Sequence, residues 1–122
     1  MKIEDFEAYL QQLGISVETI KGQDNVEYVL VRDVEIPCGG LQGRQCDVAI
    51  QRSTAVPFLP AAAIHTRPAL VEMNMTDPLK TQPSKIGSGW QYWSRRFDRP
   101  ATPKNLWAHI LTILCDPRWK PI

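Results

Sequence analysis

The sequence has almost no excess of charge of either sign. Fourteen Lys and Arg against thirteen Asp and Glu leave a formal net charge of +1, too little to hold nucleic acid or an anionic membrane by electrostatics alone. It also lacks any apolar run long enough to span a bilayer. The first ten residues carry acids in an amphipathic pattern, without the basic start and apolar stretch of a secretory signal. Together these absences predict a cytoplasmic protein. Cysteine is scarce: Cys38, Cys46 and Cys115 leave one thiol unpaired under any bridging scheme, and no Cys-x-x-Cys pair is present. Two histidines, His65 and His109, are too few and too scattered to complete a zinc site. No metal and no cofactor is expected, and three free thiols are.

What is present suits one domain. A chain of 122 residues buries roughly two-thirds of its unfolded surface. Its 43% hydrophobic and 22% charged residues are those of an ordinary globular protein, so residues 1–122 are read as a single domain. Ten prolines fall between the patterned segments and mark defined turns.

Ile3, Phe6, Tyr9, Leu10 and Leu13 align one apolar stripe, which predicts an amphipathic helix stopped by Gly14. Glu4 and Asp5 lie in its first turn, at the positive end of the dipole. From Ile15 to Gln51 the period changes to two. Ile15, Val17 and Ile20 make a weak first run, and Gly22 to Asn25 a turn. In the next run Val26, Tyr28 and Leu30 face one way, Val29 and Val31 the other. After the break at Pro37 to Gly43, Cys46, Val48 and Ile50 alternate with Asp47, Ala49 and Gln51. This stretch reads as an antiparallel meander. Val56 to Pro60 is a stiff turn, and Ala61 to Thr66 a short strand. Met73 to Gly89 shows no periodicity and reads as a long surface connection, the kind that often carries function. At the end of the chain Thr102 can cap a closing helix with Pro103 in its first turn and Leu106, Ile110, Ile113 and Leu114 on its buried stripe. The expected class is α+β, with helices on one side of a meander.

Three local patterns sharpen this order of elements. Val56-Pro57-Phe58-Leu59-Pro60 resembles the Tyr-Pro-x-x-Pro turn of ubiquitin-conjugating enzymes. The glycine-rich turn Pro37 to Gly43 sits where those folds have a Pro-Gly hairpin. Trp90-Gln91-Tyr92-Trp93-Ser94-Arg95-Arg96 resembles the Trp-x-x-Trp-Ser-Arg-His signature of a diverged bacterial branch of that family. The resemblance covers nearly the whole chain. It implies the ubiquitin-conjugating fold: N-terminal helix, antiparallel meander, long irregular active-site segment, C-terminal helix. It also implies work in a bacterial conjugation system with a ubiquitin-like modifier, an adenylating activating enzyme and a deconjugating protease, without nucleic acid or membrane partners. There a carrier accepts the modifier's C-terminus as an ester and passes it to an amine.

Two departures bear on mechanism. Ile86 to Pro100, where such enzymes carry the cysteine, contains none, and Arg96 replaces the signature's histidine. Transfer then needs another nucleophile. Ser94 is the first candidate, with Arg95 and Arg96 to hold an oxyanion or the modifier's carboxyl end. Ser88, between two glycines, is the second, and His65 is the available base. The plainer reading has Ser94 bonded to nearby backbone and the arginines solvated. Cys38, in a glycine-rich turn, is the cysteine expected to be exposed, whereas Cys46 and Cys115 read as core. Trp90, Tyr92, Trp93 and Phe97 could form a protein-docking platform, which is the alternative function of a non-catalytic interaction module. They could equally cover the edge of the core, and stacking on single-stranded nucleic acid is disfavoured by the charge balance.

Overall fold

The computed structural model describes residues 1–122. Helix α1, Ile3–Gln12, buries Ile3, Phe6 and Leu10. The Lys2 N–H donates to the Asp5 carboxylate at 2.8 Å, which fixes the helix start. Leu13, expected on the buried stripe, is instead 54% exposed. The helix has ended at Gln12, and Gly14 turns the chain away with φ +78°.

Six antiparallel strands follow: β1 Val17–Lys21, β2 Glu27–Glu35, β3 Gln45–Gln51, β4 Ala63–Arg67, β5 Thr81–Pro83 and β6 Gln91–Ser94. They form one sheet in the order β1-β2-β3-β4-β6-β5. Helix α2, Pro103–Leu114, closes the fold. The Thr102 hydroxyl oxygen accepts the Asn105 N–H at 3.1 Å, Pro103 opens the first turn, and the expected stripe is buried.

The pairing register decides which side chains share a face. Val29, Val31, Val48, Ile50, Ile64 and Trp93 point to one side, where α1, α2 and Trp119 cover them in the main core. On the other side Leu30 lies opposite Ala49, Ala49 opposite His65, and His65 opposite Tyr92. The α+β class, the meander and the placing of both helices on one face agree with the sequence reading.

The segment 73–89 departs from its expected character as a surface connection. It contributes β5, pairing Thr81 with Trp93 and Gln82 with Tyr92, and buries Thr81 and Ile86. The stretch 84–90 lies over the sheet's second face, putting Ile86 and Trp90 against Tyr28, Leu30 and Ala49. The Gln23 N–H donates to the Ile86 carbonyl at 2.9 Å, which ties this cover to the β1–β2 turn.

The chain after α2 packs on the Pro37 to Gly43 turn. A Cβ built on Gly40 would fall on the Trp119 carbonyl oxygen, and one on Gly39 would fall on that of Cys115. Backbone thus meets backbone with no room for a side chain. Gly40→Ala should cost about 1–3 kcal/mol through overpacking. Gly14→Ala, in open space at positive φ, should cost only the backbone strain of about 1–2 kcal/mol. Urea unfolding checks both, through a lowered midpoint at unchanged slope.

Candidate functional site

The aromatic signature is mostly interior. Trp93 is fully buried and Trp90 is 5% exposed. The Trp93 indole N–H donates to the Thr66 hydroxyl at 3.0 Å, and its ring meets Trp119 edge-on at 4.8 Å. Arg67 lies over the Trp90 ring at 4.7 Å while pairing with Asp47. Phe97 is half-buried against His109 on α2. The four aromatics do not make a flat docking platform: two are core, and Tyr92 faces the opposite side of the sheet from Trp93. Between them Gln91, also fully buried, accepts the Leu70 N–H at 2.9 Å and donates to the Val71 carbonyl at 2.8 Å. It thereby anchors the chain that leaves β4.

Ser94 ends β6 half-exposed opposite Ala63, and its hydroxyl makes no hydrogen bond within the chain. Arg95 does not turn toward that hydroxyl. One guanidinium nitrogen donates to the carbonyls of Lys80 and Ser94, another is buried without a partner, and the group lies 5.0 Å from the Trp119 ring. Burial holds its pKa below the usual guanidinium value. Arg96 and Ser88 are both exposed, Ser88 in the turn before Trp90.

His65 is brought to a different serine. Its Nδ1 lies 2.8 Å from the hydroxyl of Ser84, which also accepts the Ile86 N–H at 3.1 Å. The imidazole sits between the edges of Tyr28 and Tyr92, with ring centroids 5.1 and 5.3 Å away. Beside it opens a pocket of about 280 Å³ whose walls include Asp24, Tyr28, His65, Gln82, Lys85 and Tyr92. The Tyr28 hydroxyl donates to Asp24 at 2.7 Å, and the Asp24 carboxylate also accepts the Val26 N–H. Burial works against ionisation of Asp24, but these bonds together hold its carboxyl below the usual range. Burial and the bond to Asp24 push Tyr28 upward. Burial takes His65 down to about 4, so the imidazole is neutral at pH 7. It can accept a proton there, and it cannot serve as a fixed cation.

Sequence reasoning named His65 and missed Ser84. The period-two pattern gives the face of His65, but nothing local reveals β5 or places residue 84 beside it. The three cysteines lie elsewhere. Cys46 is buried, which pushes its thiol up to about 12. Cys115 is raised to about 11 by burial and by its hydrogen bond with Cys38. Cys38 is exposed, as expected, and no group of three or more His, Cys, Asp and Glu could hold a metal ion. No helix is long and apolar enough to cross a membrane.

A family model described as prokaryotic E2 family E matches residues 3–115. No curated protein and no solved structure matches the chain.

The groups around the imidazole give a pH prediction. They are Asp24, Tyr28, Tyr92 and Lys85. The folded-state pKa of His65 lies below the ordinary 6.5, so the unfolded chain takes up the proton first as pH falls. This contribution is whole above about pH 6.5 and is lost progressively toward about pH 4, with at most roughly 3 kcal/mol at stake. Asp24, with an ordinary value of 3.8, changes stability only at lower pH. Urea unfolding of the wild-type chain and His65→Gln between pH 7 and pH 4.5 should show the extra acid sensitivity in the wild type alone.

Proposed function

The chain belongs to the prokaryotic E2 family E, and from that membership we propose that it serves a bacterial ubiquitin-like conjugation system. In this reading it receives or docks the modifier between the adenylating activating enzyme and the target, and it does so without a thioester. The observation that carries the second half is the position of the thiols. No cysteine lies between β4 and α2, and two of the three thiols are held well above neutral pH. A thiol accepts an acyl group as its thiolate, so the usual carrier chemistry has no seat in that part of the chain. A hydroxyl can take its place only with a general base at hand. In this reading transfer takes the form of a serine oxyester on one of the serines of the 84–94 stretch. Ser94 and Ser88 lie in that stretch, and neither hydroxyl has a base against it.

The test is direct. The chain is incubated with the activating enzyme and ubiquitin-like protein of its own organism, ATP and magnesium, and its intact mass and its binding to both proteins are measured. Binding of either protein supports the reading, as does an adduct that survives thiol reductant and is removed by hydroxylamine. A reductant-labile adduct that disappears in Cys38→Ser would replace it with thioester chemistry, and the absence of both binding and adduct would remove it.

A further inference from the structure

Ser84 and His65 stand apart from the residues that the aromatic signature points to, and their arrangement is chemical in kind. A serine hydroxyl has one proton and two lone pairs. The Ile86 N–H occupies one lone pair of Ser84, and the hydroxyl lies 2.8 Å from His65 Nδ1. With the imidazole neutral, the tautomer protonated on Nε2 leaves Nδ1 free to accept the serine proton across this contact. His65 and Asp24 line the same pocket, and Nε2 is not among the buried atoms without a partner. The two tyrosine edges hold the ring in plane. Nucleophile, base and orienting groups thus come from four separate parts of the chain: the 84–90 cover, β4, β2 and β6.

The pocket's size and lining limit what can enter. At about 280 Å³ it lies at the bottom of the range for ligand sites, roughly 300–1,000 Å³, so it suits the end of a chain and not a nucleotide-sized cofactor. Ala61, Ala62 and Pro83 contribute apolar wall, and Lys85 adds a positive charge to the lining, the kind of group that stabilises a carbonyl oxygen turning negative. Ser84 is half-buried, and its chain neighbours Pro83 and Lys85 both line the pocket.

We propose that Ser84 is the acyl-accepting nucleophile, that His65 is its general base, and that the pocket beside them receives the C-terminal end of a ubiquitin-like modifier delivered as a thioester. The assignment of the modifier rests on the conjugation reading; the dyad does not. The Ser84 oxygen attacks the thioester carbonyl carbon while its proton passes to His65 Nδ1. The carbon–sulfur bond then breaks, and the departing thiolate takes that proton, leaving an oxyester on Ser84. In the second half an amine of the target attacks the ester carbon. The carbon–oxygen bond breaks, and the proton lost by the amine passes through His65 to the departing Ser84 oxygen, which restores both groups.

The experiment has two arms, both on the full chain. In the first, the protein alone is treated with a fluorophosphonate serine probe and the label is located by peptide mass. Label is expected on Ser84, absent in Ser84→Ala and slowed roughly 100-fold in His65→Gln, the scale of a lost general base. No label on Ser84 in the folded protein, or an unchanged rate in His65→Gln, overturns the dyad whatever the partners do. In the second, the activating enzyme and modifier are added. The wild type should yield an adduct on Ser84 that survives reductant, and Ser84→Cys one that reductant removes. That cysteine variant needs no intact imidazole and stands in should His65→Gln melt early. A labelled Ser84 with a modifier adduct mapped to Ser94 or Ser88 overturns the assignment of the modifier to this pocket. A labelled Ser84 in a chain that binds neither protein sustains the dyad and ends the conjugation reading instead.

Discussion

Trp93 is fully buried, and its indole N–H finds an acceptor in the hydroxyl of Thr66 on the neighbouring strand. A buried N–H without a partner costs about 1–3 kcal/mol, so the bond pins β6 to β4 in the register that sets Ile64 opposite Trp93. A slip of one residue would turn every side chain of β6 to the other face. Trp93 would then leave the core under α2 and Trp119, and Tyr92 would leave the side of His65. Because β5 pairs only with β6, the place of Ser84 after Pro83 follows from the same register. The site on one face of the sheet therefore depends on a tryptophan packed against the other.

A second constraint holds the cover of that core in place. The turn at Gly39 and Gly40 admits the backbone of Cys115 to Trp119 without space for a Cβ. The Trp119 indole N–H donates to the Ile113 carbonyl at 3.0 Å, so the segment folds back on its own helix as it crosses the turn. From there Trp119 reaches Trp93 and the Arg95 guanidinium. Arg95, expected beside a nucleophile, is used instead to close this corner, with donors on the Lys80 and Ser94 carbonyls.

The helices, the first four strands and the two faces of β2 were legible because each is written in local pattern. The N-cap at Thr102 and the stop at Gly14 are single-residue signals, and Tyr28 and Leu30 against Val29 and Val31 is plain alternation. The motif segment misled for a physical reason. Gln91 is as buried as Trp93 because its amide satisfies the backbone of Leu70 and Val71, so the strand does not alternate apolar with exposed polar. Its four aromatics then look like surplus surface. Strand β5 has only three residues, one of them Pro83, and exists because β6 offers it an edge. Non-local pairing of this kind leaves no local trace, and the contact between His65 and Ser84 is a product of it. The family resemblance supplied the fold and the missing cysteine but could not supply that contact.

A cysteine and a serine ask different things of the fold around them. A thiol ionises near pH 8.5 unaided and needs little more than access, so a carrier that uses one can place it on a loop over solvent. A hydroxyl does not ionise near neutral pH and must have an unprotonated base against it at the moment of attack. That base has to be kept neutral, which burial among Tyr28 and Tyr92 achieves for His65, and burial in turn requires a sheet face that is covered and not open to water. The segment 84–90, lying over Leu30 and Ala49 and tied to the β1–β2 turn through Gln23 and Ile86, provides that cover. Neutrality has a cost, since the same buried imidazole makes the fold sensitive to acid. A surface loop cysteine would impose no such penalty, so the acid-sensitive histidine and the covered sheet face belong to one arrangement.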